Sequence, residues 1–209
     1  MRRGHHDEAL AAHEESLRLE PDSYGVRLHF AVTCFLLGRH EAAIEHYERA
    51  AQLLETDFLS LTNATMSYEA LGRHEELMSA SRRALDRIER EIEAHPDNAT
   101  ALALGAILLA ELGVKDRAKE WVLRALAIEP DDPGVQFNLG CALARMSVPE
   151  QALDQLESCV PKMAAGHLNW LKKVPELIPL HHHPRYQALI ARAEARLAAF
   201  QTEQATKAD

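Results

Sequence analysis

Glycines recur at one constant interval in the first third of the chain, at Gly4, Gly38 and Gly72. Other small side chains keep the same interval, in the pairs Ala9 and Ala43, Ala50 and Ala84, Ala118 and Ala152, and Ala125 and Cys159. Such a period indicates a repeat architecture, in which each unit buries its apolar face against its neighbours. The small side chains are expected where two helices cross closely.

Each repeat is predicted to contain two amphipathic helices. In residues 24–57, apolar side chains follow one another at steps of three and four, which is the spacing of one helix face. Aromatic residues make up only 5% of the chain, which favours helix over sheet. Glu20-Pro21-Asp22 and Glu129-Pro130-Asp131 separate consecutive repeats, because proline does not continue a helix and aspartate caps the next one. The chain is therefore predicted to be all-α.

The period, the turn glycines and residues such as Ala43 and Tyr47 resemble the tetratricopeptide repeat (TPR) family. The repeating unit of that family is a helix–turn–helix of about 34 residues. The resemblance implies a right-handed α-solenoid of antiparallel helix pairs, the TPR superhelix, with C-terminal capping helices. Two departures are the missing aromatic residue at the start of every repeat and Glu55 in place of proline. The predicted array covers residues 1–161, divided into a half repeat at 1–23 and repeats at 24–57, 58–98, 99–132 and 133–161.

The N-terminal end of this array is irregular. The half repeat has a second helix but no first helix to pack against it. We therefore expect a fragment of a longer protein, a start codon assigned too far downstream, or a helix swapped from a neighbour.

The third repeat contains an insertion. Gly72 and Gly113 are separated by one repeat period plus seven residues, and the extra residues fall between Ala84 and Pro96. Since seven residues are nearly two helical turns, Glu75 to Ala94 is predicted to be one long helix. Its charged side chains, such as Arg87, are expected on a solvated face.

Residues 162–209 depart from the repeat and are predicted to cap the array. Trp170-Leu171, Pro175, Leu177, Pro179-Leu180 and Pro184-Arg185-Tyr186 resemble the segment that closes many bacterial TPR arrays, the end-of-group type. The resemblance implies that Trp170, Leu177, Leu180 and Tyr186 cover the last repeat. Arrays of this type are often attached to nucleotide cyclases, transcription regulators or protein kinases, so the chain is expected to be the C-terminal interaction or regulatory region of a larger bacterial protein.

The sequence favours neither an enzyme nor a metal or cofactor site. Nucleotide-binding and hydrolase motifs are absent, and His40-Glu41 and His74-Glu75 lack the second histidine of a zinc-protease helix. The clusters His181-His182-His183 and His5-His6-Asp7 have no suitably spaced further ligand, so they are interpreted as solvated loops. The three cysteines lack C-x-x-C spacing, which argues against a disulfide framework or a thiolate metal site, and Cys141 and Cys159 are interpreted as buried, inert thiols.

Charge and hydropathy narrow the partners further. The formal net charge is −9, which disfavours nucleic acid, and no signal peptide or membrane span is recognised, so a cytoplasmic protein without a membrane partner is expected. TPR arrays bind peptides in a concave groove lined by the first helix of each repeat. The resemblance places ten residues there: Leu28, His29, Val32, Phe35, Asn63, Met66, Ile107, Phe137, Asn138 and Arg145.

The predicted function is a non-catalytic scaffold for protein–protein interaction. Only Asn63, Asn138 and Arg145 stand in the columns of the carboxylate clamp that chaperone-binding relatives use, so that clamp is not expected. The alternative is a self-association module that forms a homodimer through the N-terminal half repeat or the long third-repeat helix.

Overall fold

A computed structural model describes residues 3–208, except for the side chains of residues 3–7, 165, 166, 201 and 203–208. The α-helices are α1 Arg3–Leu19, α2 Tyr24–Leu36, α3 His40–Leu53, α4 Leu59–Ala70, α5 His74–Ala94, α6 Ala99–Glu111, α7 Lys115–Ile128, α8 Pro133–Arg145, α9 Pro149–Cys159 and α10 Pro184–Ala208. Two 3₁₀ segments, Ala165–Lys172 and Pro175–Leu180, lie between α9 and α10. The predicted all-α solenoid is confirmed, since residues 3–208 contain no strand.

The chain divides into two compact units, an N-terminal unit of residues 1–93 and a C-terminal unit of residues 94–209. In the N-terminal unit α1 packs on α2, and α2 packs on α3. In the C-terminal unit α6 packs on α7 and on α8, and α8 packs on α9. The short turns within each pair make paired helices antiparallel, as expected of helix–turn–helix repeats.

The turn glycines end the first helix of each repeat in a left-handed conformation. Gly38, Gly72 and Gly113 have φ of 74°, 67° and 80°, and Ser147, the corresponding residue of the last repeat, has φ of 65°. Around Gly113, the amides of Gly113 and Val114 donate to Ala110 O at 3.1 Å and to Leu109 O at 2.8 Å. This is the hydrogen-bond pattern of a Schellman motif, which satisfies the last carbonyls of a helix. Gly4 lies inside α1 instead and forms no such turn.

The small-residue columns mark the closest helix contacts. All of their described members outside α1 are fully buried, namely Ala43, Ala50, Ala84, Ala118, Ala125, Ala152 and Cys159. Gly140 on α8 shows how tight the packing is, since a Cβ there would come within 2.9 Å of Leu156 on α9. The structure therefore explains the repeat period by steric demand at the crossings.

Helix α5 is uninterrupted over 21 residues, whereas α3 and α7 each have 14. The predicted long helix is thus confirmed, and Ile88 and Ile92 on it are buried. Arg87, which was predicted on the charged face of this helix, is partly buried. Its Nη1 donates to three backbone carbonyls at the C-terminal end of α3 and the following turn, those of Ala51, Leu54 and Asp57, at 3.0, 3.2 and 2.7 Å.

The C-terminal segment packs on the last repeat through the second 3₁₀ segment, which contacts α8. Leu177, Leu180 and Tyr186 are buried as expected, but Trp170 is only partly buried and Leu171 beside it is fully buried. The two residues adjoin in a 3₁₀ segment, where neighbouring side chains point in different directions, so one is covered and the other is not.

Arg185 links the start of α10 to α9 through ion pairs. Its guanidinium donates to Glu150 and Asp154, both at 2.7 Å, and to both oxygens of Glu157. These carboxylates raise the pKa of Arg185. The side chain of Tyr186 points to the interior and its hydroxyl donates to the carbonyl of Leu171. The Pro-Arg-Tyr sequence therefore supplies a helix start, an ionic clamp and a core residue in succession.

Candidate functional site

The predicted groove residues of the N-terminal unit divide into an accessible and a buried set. His29 is exposed, while Leu28, Val32 and Asn63 are partly buried. Phe35 and Met66 are core residues, with 2% and 7% of their surfaces exposed. We call His29, Leu28 and Val32 on α2, together with Asn63 on α4, the first-helix patch. His29 and Asn63 occupy the same repeat position, one period apart.

The C-terminal unit buries its first helices more completely. In α6 only Thr100 is exposed, Glu111 is partly buried and every other residue is buried. The predicted groove residues Ile107 on α6 and Phe137 on α8 are 7% and 9% exposed. The sequence of α6 is apolar on every side, which is the pattern of a helix that is buried all round. Asn138 is partly buried.

Arg145 is held by the chain's own carboxylates. Its guanidinium forms an ion pair with Glu111 on α6 and a second one, at 3.5 Å, with Glu176 of the second 3₁₀ segment. All three side chains are at most 16% exposed. Removing one partner of a buried ion pair strongly destabilises a fold. The spacing of one repeat period between Glu111 and Arg145 is a signal that sequence reasoning missed.

A second cluster that the sequence did not predict joins α1, α2 and α3. The imidazoles of His13 and His46 both stack on Phe30, with ring centroids 5.2 Å and 4.2 Å away. His13 Nε2 lies 3.0 Å from Thr33 Oγ1, and Arg27 Nη1 lies 3.2 Å from His46 Nδ1. Burial lowers the pKa of both histidines, and it is the largest cause in each case.

Glu48 on α3 links the second repeat to the third. It accepts hydrogen bonds from Tyr68 Oη at 3.0 Å and from both terminal nitrogens of Arg83, at 2.9 and 2.5 Å. Burial opposes ionisation of this carboxyl, but the bonds and charge of Arg83 together with the Tyr68 bond bring its pKa below the ordinary value. Arg83 therefore has a structural partner and is not a free surface cation.

The cysteines lie where nucleophilic chemistry is disfavoured. Cys34, Cys141 and Cys159 are free thiols with at most 2% exposure. Burial raises the pKa of all three, that of Cys159 to about 12. A thiol with a raised pKa remains protonated at neutral pH and is a poor nucleophile or metal ligand.

The histidines near the C-terminus have structural contacts. His181 stacks on Tyr186 with ring centroids 5.5 Å apart, and His183 Nε2 lies 3.3 Å from Glu150. Among the residues that the structure describes, no group of three potential ligands could hold a metal ion. The side chains of the His5-His6-Asp7 cluster lie outside the described residues.

None of the described helices combines the length and apolar character needed to span a bilayer.

A shallow groove of about 380 Å³ lies along α10 in the C-terminal unit. Tyr186 and Ile190 form its apolar part, and Lys172 and Glu194, which are ion-paired with each other, form a polar part. The groove is open to solvent and carries no cluster of catalytic groups.

Comparisons with known proteins agree with this architecture. Tetratricopeptide repeat models match residues 1–57 and 78–133, which together are more than half of the chain. The chain belongs to the tetratricopeptide repeat family. A thermophilic TPR protein of Thermus thermophilus superposes with a TM-score of 0.57 at 21% identity, covering 92% of each chain. PilF of Pseudomonas aeruginosa gives a TM-score of 0.50 at 16% identity, covering 96% of this TPR chain and 91% of pilF.

Curated relatives match in sequence at a similar level. BBSome complex member BBS4 of Bos taurus is 26% identical over 153 residues, and that of Xenopus tropicalis is 28% identical over 125 residues. The matches cover 73% and 60% of this TPR chain but 28% and 23% of the relatives. This chain thus spans about a quarter of the length of these relatives.

Proposed function

We propose that this TPR chain is a non-catalytic scaffold that binds a protein or peptide partner through the first-helix patch. The observation that carries the proposal is that His29, the one exposed residue of α2, and Asn63, at the same repeat position of the largely buried α4, keep solvent access, with the partly exposed Leu28 and Val32 beside His29. The patch offers apolar surface beside an imidazole and an amide, which can fix the backbone of a peptide by hydrogen bonds.

Only some of the ten predicted groove residues are accessible to a partner in this structure. A partner reaches Phe35, Met66, Ile107 and Phe137 only if the repeats separate, and Arg145 only if it exchanges Glu111 or Glu176 for a carboxylate of the partner. Asn138 stays in the proposal as an accessible amide of the C-terminal unit. Replacing Phe35 and Met66 by alanine would open two core cavities, so these substitutions test stability and not binding.

The setting of this function is also a proposal. The end-of-group resemblance of residues 162–209 supports a C-terminal interaction or regulatory region of a larger bacterial protein, located in the cytoplasm. Neither nucleic acid nor a membrane is proposed as a partner. The net charge of −9 supports this choice against nucleic acid.

Site-specific photo-crosslinking tests the location of the surface. A photoreactive amino acid is placed at position 29 or 63, and, as a control, at Leu123, an exposed position on the second helix of another repeat. The proposal expects one protein to be crosslinked from positions 29 and 63 in a lysate of the source organism, and not from position 123. Crosslinking from position 123 alone would contradict it.

Self-association through the half repeat or the long helix α5 is the second candidate, and Leu19 on α1, an apolar residue that is 66% exposed, favours it. Light scattering over a hundredfold range of protein concentration distinguishes the two. A constant monomer mass contradicts the homodimer, whereas a mass that doubles with concentration supports it.

A further inference from the structure

The cluster around Phe30 contains a hydrogen bond that only a neutral histidine can make. A guanidinium has five N–H donors and no acceptor. Arg27 Nη1, which lies 3.2 Å from His46 Nδ1, is therefore the donor, and Nδ1 must offer its lone pair. His46 is consequently neutral, with its proton on Nε2.

Arg27 connects this imidazole to the turn that follows α1. Its Nε and Nη2 donate to the carbonyl of Pro21 at 3.2 and 2.9 Å, so one guanidinium spans from α3 to the α1–α2 turn. Protonation of His46 at Nδ1 would replace the lone pair by a hydrogen and place two positive charges about one hydrogen-bond length apart. The attraction would become a repulsion, and the guanidinium would have to move away.

His13 holds α1 to the same cluster. The Thr33 hydroxyl donates to the carbonyl of His29 at 3.0 Å, so its oxygen accepts from His13 Nε2–H. This bond survives protonation of His13. His13 and His46 nevertheless share Phe30 as a stacking partner, and a protonated His13 would disfavour protonation of His46.

The charges that face the cluster favour the neutral state. For His46, burial, Arg27 on α2 and His13 on α1 disfavour protonation, and Glu45 on α3 favours it. For His13, burial and His29 on α2 disfavour protonation. The net result in each case is a pKa below the ordinary histidine value of 6.5.

We propose that Arg27, His46, His13 and Phe30 form a pH-sensitive latch that holds α1 and its turn on the second repeat and loosens on mild acidification. The unfolded or released imidazole has the higher pKa, so it binds the proton more tightly than the latched imidazole does. The stabilisation by the latch is therefore fully present above pH 6.5 and is lost as the pH falls from 6.5 through the lower pKa of the latched state.

Loosening of the latch has a specific structural consequence. Phe30, which is 7% exposed, lies on α2 next to His29 of the first-helix patch. Release of His13 would uncover apolar surface at the edge of that patch. The latch is a property of the N-terminal unit, goes beyond the proposed function, and can be tested without a partner.

Hydrogen exchange of the full chain at pH 7.5 and 5.5 tests the latch, with rates corrected for the pH dependence of intrinsic exchange. We expect the protection factors of the α1 amides to fall at least about threefold at pH 5.5, because protons that bind the released imidazoles favour the open form. His46→Gln keeps an acceptor for Arg27 but does not titrate, so its α1 protection should change much less. The matched control is His74→Gln, which replaces an exposed histidine of the same unit. Its α1 protection should fall between the two pH values as it does in the wild type.

An NMR titration of the imidazole Cε1–H signals provides a second measurement that needs no folded variant. The latch predicts that the pKa of His46 lies below the ordinary histidine value of 6.5 in the wild-type protein. Equal α1 protection at both pH values, an undiminished fall of α1 protection in His46→Gln, or a His46 pKa at or above 6.5 would each overturn the proposal.

Discussion

Ser147 is the one described residue other than glycine with a positive φ, and it occupies the turn position that glycine holds in three other repeats. A left-handed conformation costs a residue with a Cβ roughly 1–2 kcal/mol. Glycine avoids this cost but loses about 0.5–1 kcal/mol more conformational entropy on folding. Ser147→Gly is therefore expected to raise the free energy of unfolding by about 0.5–1 kcal/mol.

Gly113→Ser is the reciprocal change in the same unit. Nothing lies within 4 Å of a Cβ built on Gly113, so the substitution adds backbone strain without a steric clash. We expect it to lower the free energy of unfolding by about the amount that Ser147→Gly adds. Ser147→Ala removes the hydroxyl but keeps the Cβ, and it should leave stability close to the wild-type value.

Urea unfolding followed by tryptophan fluorescence measures these changes where they occur. Both tryptophans, Trp121 and Trp170, belong to the C-terminal unit that contains the two turns. The midpoints should move in opposite directions for Ser147→Gly and Gly113→Ser at an unchanged denaturant slope. Equal stabilisation by Ser147→Ala and Ser147→Gly, or an unaltered midpoint for Gly113→Ser, would refute the backbone argument.

Two further predictions concern the C-terminal segment. Leu171→Ala is expected to lower the free energy of unfolding by about 2–5 kcal/mol, because the Leu171 side chain is fully buried. Trp170→Ala should lower it by less than the ~3–5 kcal/mol of a buried tryptophan, because Trp170 is only partly buried. A larger loss for Trp170→Ala than for Leu171→Ala in the same urea assay would contradict this prediction. Arg185→Lys should lower the melting temperature, because an ammonium cannot make the forked contacts to Glu150 and Glu157, and the difference should shrink in high salt. A deficit that persists at high salt would mean that the guanidinium acts by packing.

The helices were predictable because the repeat period is a steric requirement that the sequence carries directly. Ala43 and Ala152 are small because a neighbouring helix leaves no room, and Gly38 is a glycine because its φ is positive. The sequence also predicted that the seven-residue insertion extends α5, because Ile88 and Ile92 continue the apolar face of that helix. These features depend on one helix and its immediate neighbour.

The accessible surface was less predictable because it depends on how closely successive repeats approach. Helical position alone assigned Phe35 and Ile107 to a groove, whereas the neighbouring helices bury them. The apolar sequence all round α6 does indicate this burial. The contact of Arg27 with His46 joins side chains of different helices in no repeated column, so no periodicity indicates it.

The affinity of the crosslinked partner for variants of the first-helix patch shows whether this patch is the interaction surface. We expect the double variant His29→Ala with Asn63→Ala to keep the wild-type circular dichroism spectrum and to bind at least about tenfold more weakly by calorimetry, a loss of roughly 1.4 kcal/mol. The control variant Leu123→Ala, which removes an exposed side chain from α7, should bind like the wild type. Unchanged affinity of the double variant together with weakened binding by Leu123→Ala would contradict the proposal that the first-helix patch is the interaction surface.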